Sequence, residues 1–150
     1  MSEKSLKIGS ILMTGMGIFA LVVSILWIFI TEIMFVSDFL FYTGVSFQDY
    51  LVASPLYAEI YIITKKLVGF MMLAISIPIL FINHVGYQKG ERWAWFTLFI
   101  MGGLLWGTLL GYRIFIGYIG GSSITFVAGI ILWLLALLIP IKVFFGKDAS

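Results

Sequence analysis

Five ionisable side chains at the ends of long apolar segments are the residues of this 150-residue chain best suited to chemistry. They are two glutamates and three cations, namely Glu32, Glu59, Lys65, Lys66 and Arg113. Ionisable groups close to hydrocarbon are costly unless they pair with one another or reach water. One interpretation is therefore a polar vestibule that binds a headgroup, an ion or a small polar ligand. The other is that the cations extend to the membrane surface and pair there with nearby acids.

No catalytic or metal-binding motif accompanies this cluster. The chain has no cysteine, which excludes thiolate metal sites and iron–sulfur clusters. Its single histidine, His84, has neither a second histidine nor the carboxylates that a metal site requires. The basic residues are scattered and the net charge is only +2, so nucleic acid is not an expected partner. We expect no metal and no cofactor, and the sequence favours a protein that is not an enzyme.

Four apolar runs hold the cluster and dominate the composition. They cover about residues 8–30, 56–82, 93–112 and 124–141, and the chain is 62% hydrophobic and 11% charged. A bilayer core about 30 Å thick needs about 20 apolar residues of helix, and a small soluble domain could not bury so much apolar surface. We therefore predict a single integral membrane domain over residues 1–150 in the cell membrane, an all-α four-helix transmembrane bundle. Its helices are expected at about residues 8–36, 55–83, 92–114 and 123–144.

The only long connection, residues 37–54, is aromatic and acidic. Ser46 and Asp49 have the spacing of a capping box, in which a serine and an acid satisfy free amides of a first helical turn. This spacing predicts a short helix, and its aromatic residues favour a position in the membrane interface. Ser54 and Pro55 then form a second start signal, because proline is well suited to the first helical position.

The distribution of lysine and arginine predicts the orientation in the membrane. An even number of helices places both termini and the turn at residues 83–92 on one side. That side carries six basic residues, which are Lys4, Lys7, Lys89, Arg92, Lys142 and Lys147. The other side carries three basic residues against four acids, Glu32, Asp38, Asp49 and Glu59. Both termini are therefore expected in the cytoplasm, with the charged cluster on the outer side.

Three glycines repeat every four residues in the third apolar run. Gly103, Gly107 and Gly111 share one face of a helix, and small residues at this spacing let two membrane helices approach closely. The helix that packs there is expected to be the first or the fourth helix of the same chain, or a helix of another protein chain. A groove for a lipid tail or a quinone is a further alternative.

The start of the third helix reads Gly90-Glu91-Arg92-Trp93-Ala94-Trp95. This segment, together with the four-helix layout, resembles small uncharacterised prokaryotic membrane proteins that carry a similar motif at the same place. The resemblance covers about six residues beyond the general layout, and it implies no activity and no site residues.

Two hypotheses for function follow from these patterns. The first is a non-enzymatic accessory or structural subunit that packs against a larger membrane complex or against another copy of itself. The glycine face and the lack of catalytic motifs favour it. The alternative is a binder or transporter of a lipid, a quinone or a small solute held beneath the outer charged cluster. In either case the lipid bilayer is the expected surrounding.

Overall fold

The computed structural model describes residues 2–117 and 121–146, which form seven α-helices and no strand. A 3-10 helix, Tyr87–Lys89, connects α4 and α5. The all-α prediction is confirmed. The helices in chain order are α1 Ser2–Phe29, α2 Thr31–Thr43, α3 Phe47–Ala53, α4 Pro55–Val85, α5 Arg92–Ile116, α6 Gly121–Leu138 and α7 Ile141–Phe145.

Both local start signals lie where a helix begins, but only the serine half of the expected capping box binds a backbone amide. The Ser46 hydroxyl accepts a hydrogen bond from the backbone N–H of Asp49 at 3.1 Å and donates one to the Asp49 carboxylate at 2.6 Å. This closes the first turn of α3, the short helix expected in the long connection. Pro55 occupies the start of α4, where its missing N–H leaves no helical hydrogen bond unmade.

The first apolar run differs from its expected form, a single helix to about residue 36. The backbone leaves helical geometry at Ile30, with φ −120° and ψ 39°, and a separate helix follows. The hydroxyl of Thr31 donates to the carbonyl oxygen of Trp27 at 2.7 Å across this break. The second helix continues through Thr43 and ends at Gly44, whose φ of 71° suits glycine.

The four long helices α1, α4, α5 and α6 run alternately up and down. At one end, which we call the terminal end, the amide of Asn83 on α4 donates to the carbonyl oxygen of Ser10 on α1 at 3.1 Å. At the other, the loop end, the Arg113 guanidinium of α5 lies 5.0 Å from the ring centroid of Phe126 on α6. Helix α1 packs most extensively, against α4 and α6, and so forms the centre of the bundle.

Close packing of α5 against α6 uses one glycine on each helix. A Cβ at Gly102 would overlap the indole ring of Trp133, and a Cβ at Gly129 would overlap the ring of Trp106. Each tryptophan therefore occupies space that the missing side chain of the opposite glycine leaves free. The Trp133 N–H donates to the carbonyl oxygen of Leu98 at 3.1 Å, which fixes this ring in the interface.

Three stretches of the described chain are long and apolar enough to cross a bilayer, namely Glu3–Phe29, Pro55–Lys89 and Arg92–Ile116. The fourth expected span corresponds to α6, whose apolar part, Phe126–Leu138, is shorter. A helix had been expected there up to residue 144, but α6 ends before Pro140. Proline lacks the N–H for a helical hydrogen bond and its ring clashes with the preceding turn.

The outward surface of the bundle is apolar. Among its large exposed side chains, Val52 is 84% exposed, Phe115 82% and Phe29 79%. A soluble protein of this size does not present so continuous an apolar surface to water. This surface and the three long apolar helices together indicate a small multi-pass membrane protein.

Candidate functional site

A buried ion pair is the main polar feature of the loop end. The Arg113 guanidinium, through Nη1, lies 2.7 Å from the Asp38 carboxylate oxygen Oδ1. Only 5% of the Arg113 side chain and 3% of the Asp38 side chain are exposed. The pair joins the last turn of α5 to α2, the separate helix that follows the break at Ile30.

Asp38 is the site residue that the sequence did not predict. It was counted among the acids of the outer side, near the expected end of the first helix. The helical spacing of Thr31, Phe35 and Asp38 places them on one face, and all three are buried. This periodicity is the signal that could have identified Asp38 as an inward-facing acid.

Lys65 lies beside the ion pair but binds neutral groups. Its ammonium donates a hydrogen bond to the Tyr112 hydroxyl at 3.1 Å. The Lys65 Nζ lies 5.1 Å from the ring centroid of Tyr61 and 4.7 Å from that of Tyr112, within the range of cation–π attraction. Within residues 2–117 and 121–146, no carboxylate forms an ion pair with Lys65.

Two cavities meet at Lys65 and Tyr112. The smaller has a volume of about 170 Å³ and lies where α1, α4, α5 and α6 come together; it is lined by Trp27, Lys65, Val68, Thr108, Leu109, Tyr112, Arg113 and Phe126. The larger has a volume of about 380 Å³ and extends toward α2; it is lined by Asp38, Phe39, Tyr42, Thr43, Tyr61, Lys65, Tyr112, Phe115 and Ile116. The side chains of Lys65 and Tyr112 therefore form the boundary between them.

The structure divides the five predicted cluster residues into three groups. Lys65 and Arg113 line the smaller cavity together. Glu32 and Lys66 are both exposed and line a separate groove of about 270 Å³ beside the break at Ile30. Glu59 is exposed on α4 and lines neither of these. The structure thus does not bring all five residues into one polar vestibule. Only the half-buried Lys65 and the buried Arg113 share a cavity.

The glycine face of α5 is largely unoccupied by the described chain. A Cβ at Gly103 would make only ordinary contact with Trp133, at 3.6 Å. Gly107 and Gly111 are exposed, and no described atom lies within 4 Å of a Cβ at either position. The close approach expected for this face is instead made by Gly102, one residue before it. An interface with another chain stays a prediction for Gly107 and Gly111.

The terminal end is held by side chains that bind backbone carbonyls. Proline 140 has no N–H to bind the carbonyl oxygen of Ala136 four residues earlier, and the buried Tyr87 hydroxyl donates to that oxygen instead. Trp95 donates to the carbonyl oxygen of Leu137 at 3.1 Å. Each bond connects the α4–α5 turn or the start of α5 to the end of α6.

Arg92 adds a third bond of this kind, from its Nε to the carbonyl oxygen of Phe144 at 2.8 Å. Both Arg92 and Trp95 belong to the segment Gly90–Trp95 at the start of α5, the GERWAW segment. In the structure this segment attaches α5 to the last turns of α6 and α7. The GERWAW segment thus has a packing role that needs no ligand.

The described residues contain no group of three or more histidines, cysteines or acids that could hold a metal ion. His84 is exposed in the last turn of α4. The arrangement at the loop end offers hydrogen-bond donors, two cations and apolar walls. Chemically, these groups can bind a molecule that carries both a hydrogen-bond acceptor and an apolar part.

Fold and surface together thus define a small α-helical protein with three candidate membrane spans. No family profile, no curated protein and no solved structure matches this chain.

Proposed function

We propose that this protein is a non-enzymatic accessory or structural subunit of the cell membrane. It would associate with a second copy of itself or with a larger membrane complex through the face of α5 that carries Gly103, Gly107 and Gly111. The observation that supports this most directly is the open surface at Gly107 and Gly111. Within the described chain nothing lies within 4 Å of a Cβ at these positions.

The proposed topology has four membrane crossings and both termini in the cytoplasm. Helix α6 has 18 residues, which at about 1.5 Å per residue gives about 27 Å, close to a bilayer core. It runs antiparallel to α5, since Phe126 near its start lies beside Arg113 and Leu137 near its end binds Trp95, and it also contacts α1. The excess of lysine and arginine on the side of the chain termini supports a cytoplasmic terminal end.

The composition of the outward face of α5 supports close helix packing. Exposed apolar side chains share this face with the glycines, among them Ile100 and Ile114, each seven residues from Gly107, and Leu104 at its edge. Because glycine has no side chain, another helix can approach the backbone closely at Gly107 and Gly111. In a membrane, where lipid already solvates apolar side chains, such backbone proximity and dispersion contact drive association.

The test is to place a large side chain on this face. Gly107→Leu should convert an oligomeric or partner-bound protein to a monomer, measured as native mass in mild detergent after purification from native membranes. Gly15→Leu is the matched control, because Gly15 on α1 is equally exposed and open but lies outside the glycine face. Its association should equal that of the wild-type protein.

The proposal fails if the wild-type protein and Gly107→Leu are both monomeric and carry no other protein. It also fails if Gly15→Leu reduces association as much as Gly107→Leu does. Identification of proteins and lipids that copurify with the wild-type chain separates self-association from membership of a larger complex.

A further inference from the structure

We infer that the smaller cavity at the loop end binds a carboxylate carried on an apolar body. This cavity, of about 170 Å³, lies between four helices. Lys65 and Arg113 supply positive charge on its wall, and Val68, Leu109 and Phe126 supply apolar surface. A site with these two kinds of wall selects a molecule that has one anionic group and one apolar part.

The charge at the site is incomplete without such an anion. Asp38 neutralises Arg113, with which it forms a buried ion pair at 2.7 Å. Among the described residues, the polar and cation–π contacts of Lys65 are with the Tyr112 hydroxyl and with the rings of Tyr61 and Tyr112. The site therefore holds two cations against one carboxylate, and a single additional negative charge would balance it. Because the surroundings are apolar, the attraction for that charge is stronger than it would be in water.

The hydrogen-bonding capacity of Lys65 is also incomplete. An ammonium group has three N–H donors, and among the described residues only the Tyr112 hydroxyl accepts from Lys65. Donors remain for an oxygen of a ligand that enters the cavity. Such a bond between an ammonium and a carboxylate is charge-assisted and is among the stronger hydrogen bonds in proteins.

Trp27 provides a second, independent sign of a missing acceptor. Its ring lines the same cavity and is only 6% exposed. Its indole N–H is buried and has no acceptor in the described chain. Buried N–H groups are nearly always bonded, so an unbonded one on a residue that lines the cavity indicates that a ligand supplies the missing acceptor.

The size of the cavity limits what it can enclose. An apolar cavity of about 150 Å³ holds one benzene molecule, so about 170 Å³ accommodates one ring or the first few carbons of a chain. Thr108 on the wall is exposed, so the cavity opens at the surface of α5 and a longer chain can continue into the lipid. A single charge fits carboxylate better than phosphate monoester, which carries about −1.5 to −2 at neutral pH.

This chemistry has two sources, a fatty acid in the bilayer and a small carboxylic acid on the aqueous side. Both are tested with the full-length protein in nanodiscs of zwitterionic lipid. Laurate represents the first source, benzoate the second, and 1-dodecanol has the chain of laurate without its charge. Binding is measured by the carboxyl chemical shift of ¹³C-labelled laurate or benzoate, and 1-dodecanol is measured by competition against labelled laurate.

Lys65→Gln and Lys66→Gln form a matched pair, because the two lysines are adjacent and only Lys65 lines the cavity. Lys65→Gln should weaken binding about tenfold or more, the loss expected for one charge-assisted hydrogen bond. Lys66→Gln should leave it within about twofold of the wild-type value. Thermal unfolding of both variants in the same nanodiscs establishes that each is folded.

Saturable binding of laurate that depends on Lys65 supports the inference and identifies a fatty acid of the bilayer as the ligand. The same result for benzoate supports it with a small carboxylic acid of the aqueous side as the ligand. Three results would overturn it. These are no saturable binding of either acid, displacement of laurate by 1-dodecanol at equal concentration, and equal losses in Lys65→Gln and Lys66→Gln. None of these results depends on the association through α5.

Discussion

The two halves of α5 pack in different ways. In the half that begins at Arg92, buried residues recur at helical spacing, namely Ala94, Leu98, Gly102, Leu105 and Trp106. In the half that follows Trp106, Arg113 is the only residue of this helix that is buried. The first half therefore packs closely against the rest of the bundle, including α6 through Gly102 and Trp106. The second half is mostly not buried, and it borders the two cavities and carries Gly107 and Gly111.

The polar contacts at the two ends of the bundle also differ in kind. At the terminal end, side chains such as Tyr87 and Trp95 donate to backbone carbonyls of α6. At the loop end, side chains bind other side chains, as Asp38 binds Arg113 and Lys65 binds Tyr112. The two ends therefore differ in what holds them, mainly backbone carbonyls at the terminal end and side-chain pairs beside the cavities at the loop end.

Breaking the ion pair should have the largest effect on stability. Arg113→Met leaves the buried Asp38 carboxylate without its cation, and the removal of one partner of a buried pair costs about 3–5 kcal/mol. We expect a decrease of that size in the free energy of unfolding, measured by titration with sodium dodecyl sulfate in mixed micelles.

The double variant Asp38→Leu with Arg113→Met tests the cause. Replacement of both charges by apolar groups is often neutral or stabilising, so the double variant should recover most of the loss. If it is as unstable as Arg113→Met alone, then packing of the arginine side chain, and not its charge, holds α2 against α5.

The parts of the fold that the sequence predicted are those set by neighbours along the chain. Ser46 and Asp49 close the first turn of α3, and Pro55 starts α4, where these residues indicated. Apolar runs likewise identified the long helices, because helix length and hydropathy are local properties. The break at Ile30 was not predicted, since no glycine or proline marks it.

The parts that were not predicted depend on which helices meet. The glycine spacing pointed to Gly103, Gly107 and Gly111, but Trp133 of α6 instead packs over Gly102. Asp38 pairs with a residue far away in sequence, and only the helical spacing of Thr31, Phe35 and Asp38 hinted that it faces inward. Of the five ionisable residues that the sequence grouped together, Lys65 and Arg113 line the smaller cavity and the other three do not.

Two glycine substitutions, one in each half of α5, should differ in their effect on the free energy of unfolding. The loss expected in the first half is the second largest of the effects predicted. Gly102→Ala places a Cβ against the Trp133 ring, whose N–H bonds to the Leu98 carbonyl oxygen at 3.1 Å. Overpacking of this kind costs about 1–3 kcal/mol. Gly107→Ala meets no described atom within 4 Å and improves helix propensity, so its effect should be a gain of up to about 1 kcal/mol. Equal losses in the two variants, measured by the same unfolding titration, would contradict the contrast between the halves.

The smallest expected effects come from removing one hydroxyl at each end. Tyr87→Phe deprives the carbonyl oxygen of Ala136 of its donor in a fully buried position, which should lower the free energy of unfolding by about 0.5–1.5 kcal/mol. Tyr112→Phe removes the acceptor of the Lys65 hydrogen bond, but Tyr112 is 37% exposed, so water can accept from Lys65 in its place and the loss should stay within about 0.5 kcal/mol. The comparison is made on folded protein without added ligand, so that only the packing of the two ends contributes. If Tyr112→Phe were the more damaging of the two, the side-chain bond at the loop end would contribute more to stability than the bond to a backbone carbonyl at the terminal end, which would reverse the contrast between the two ends.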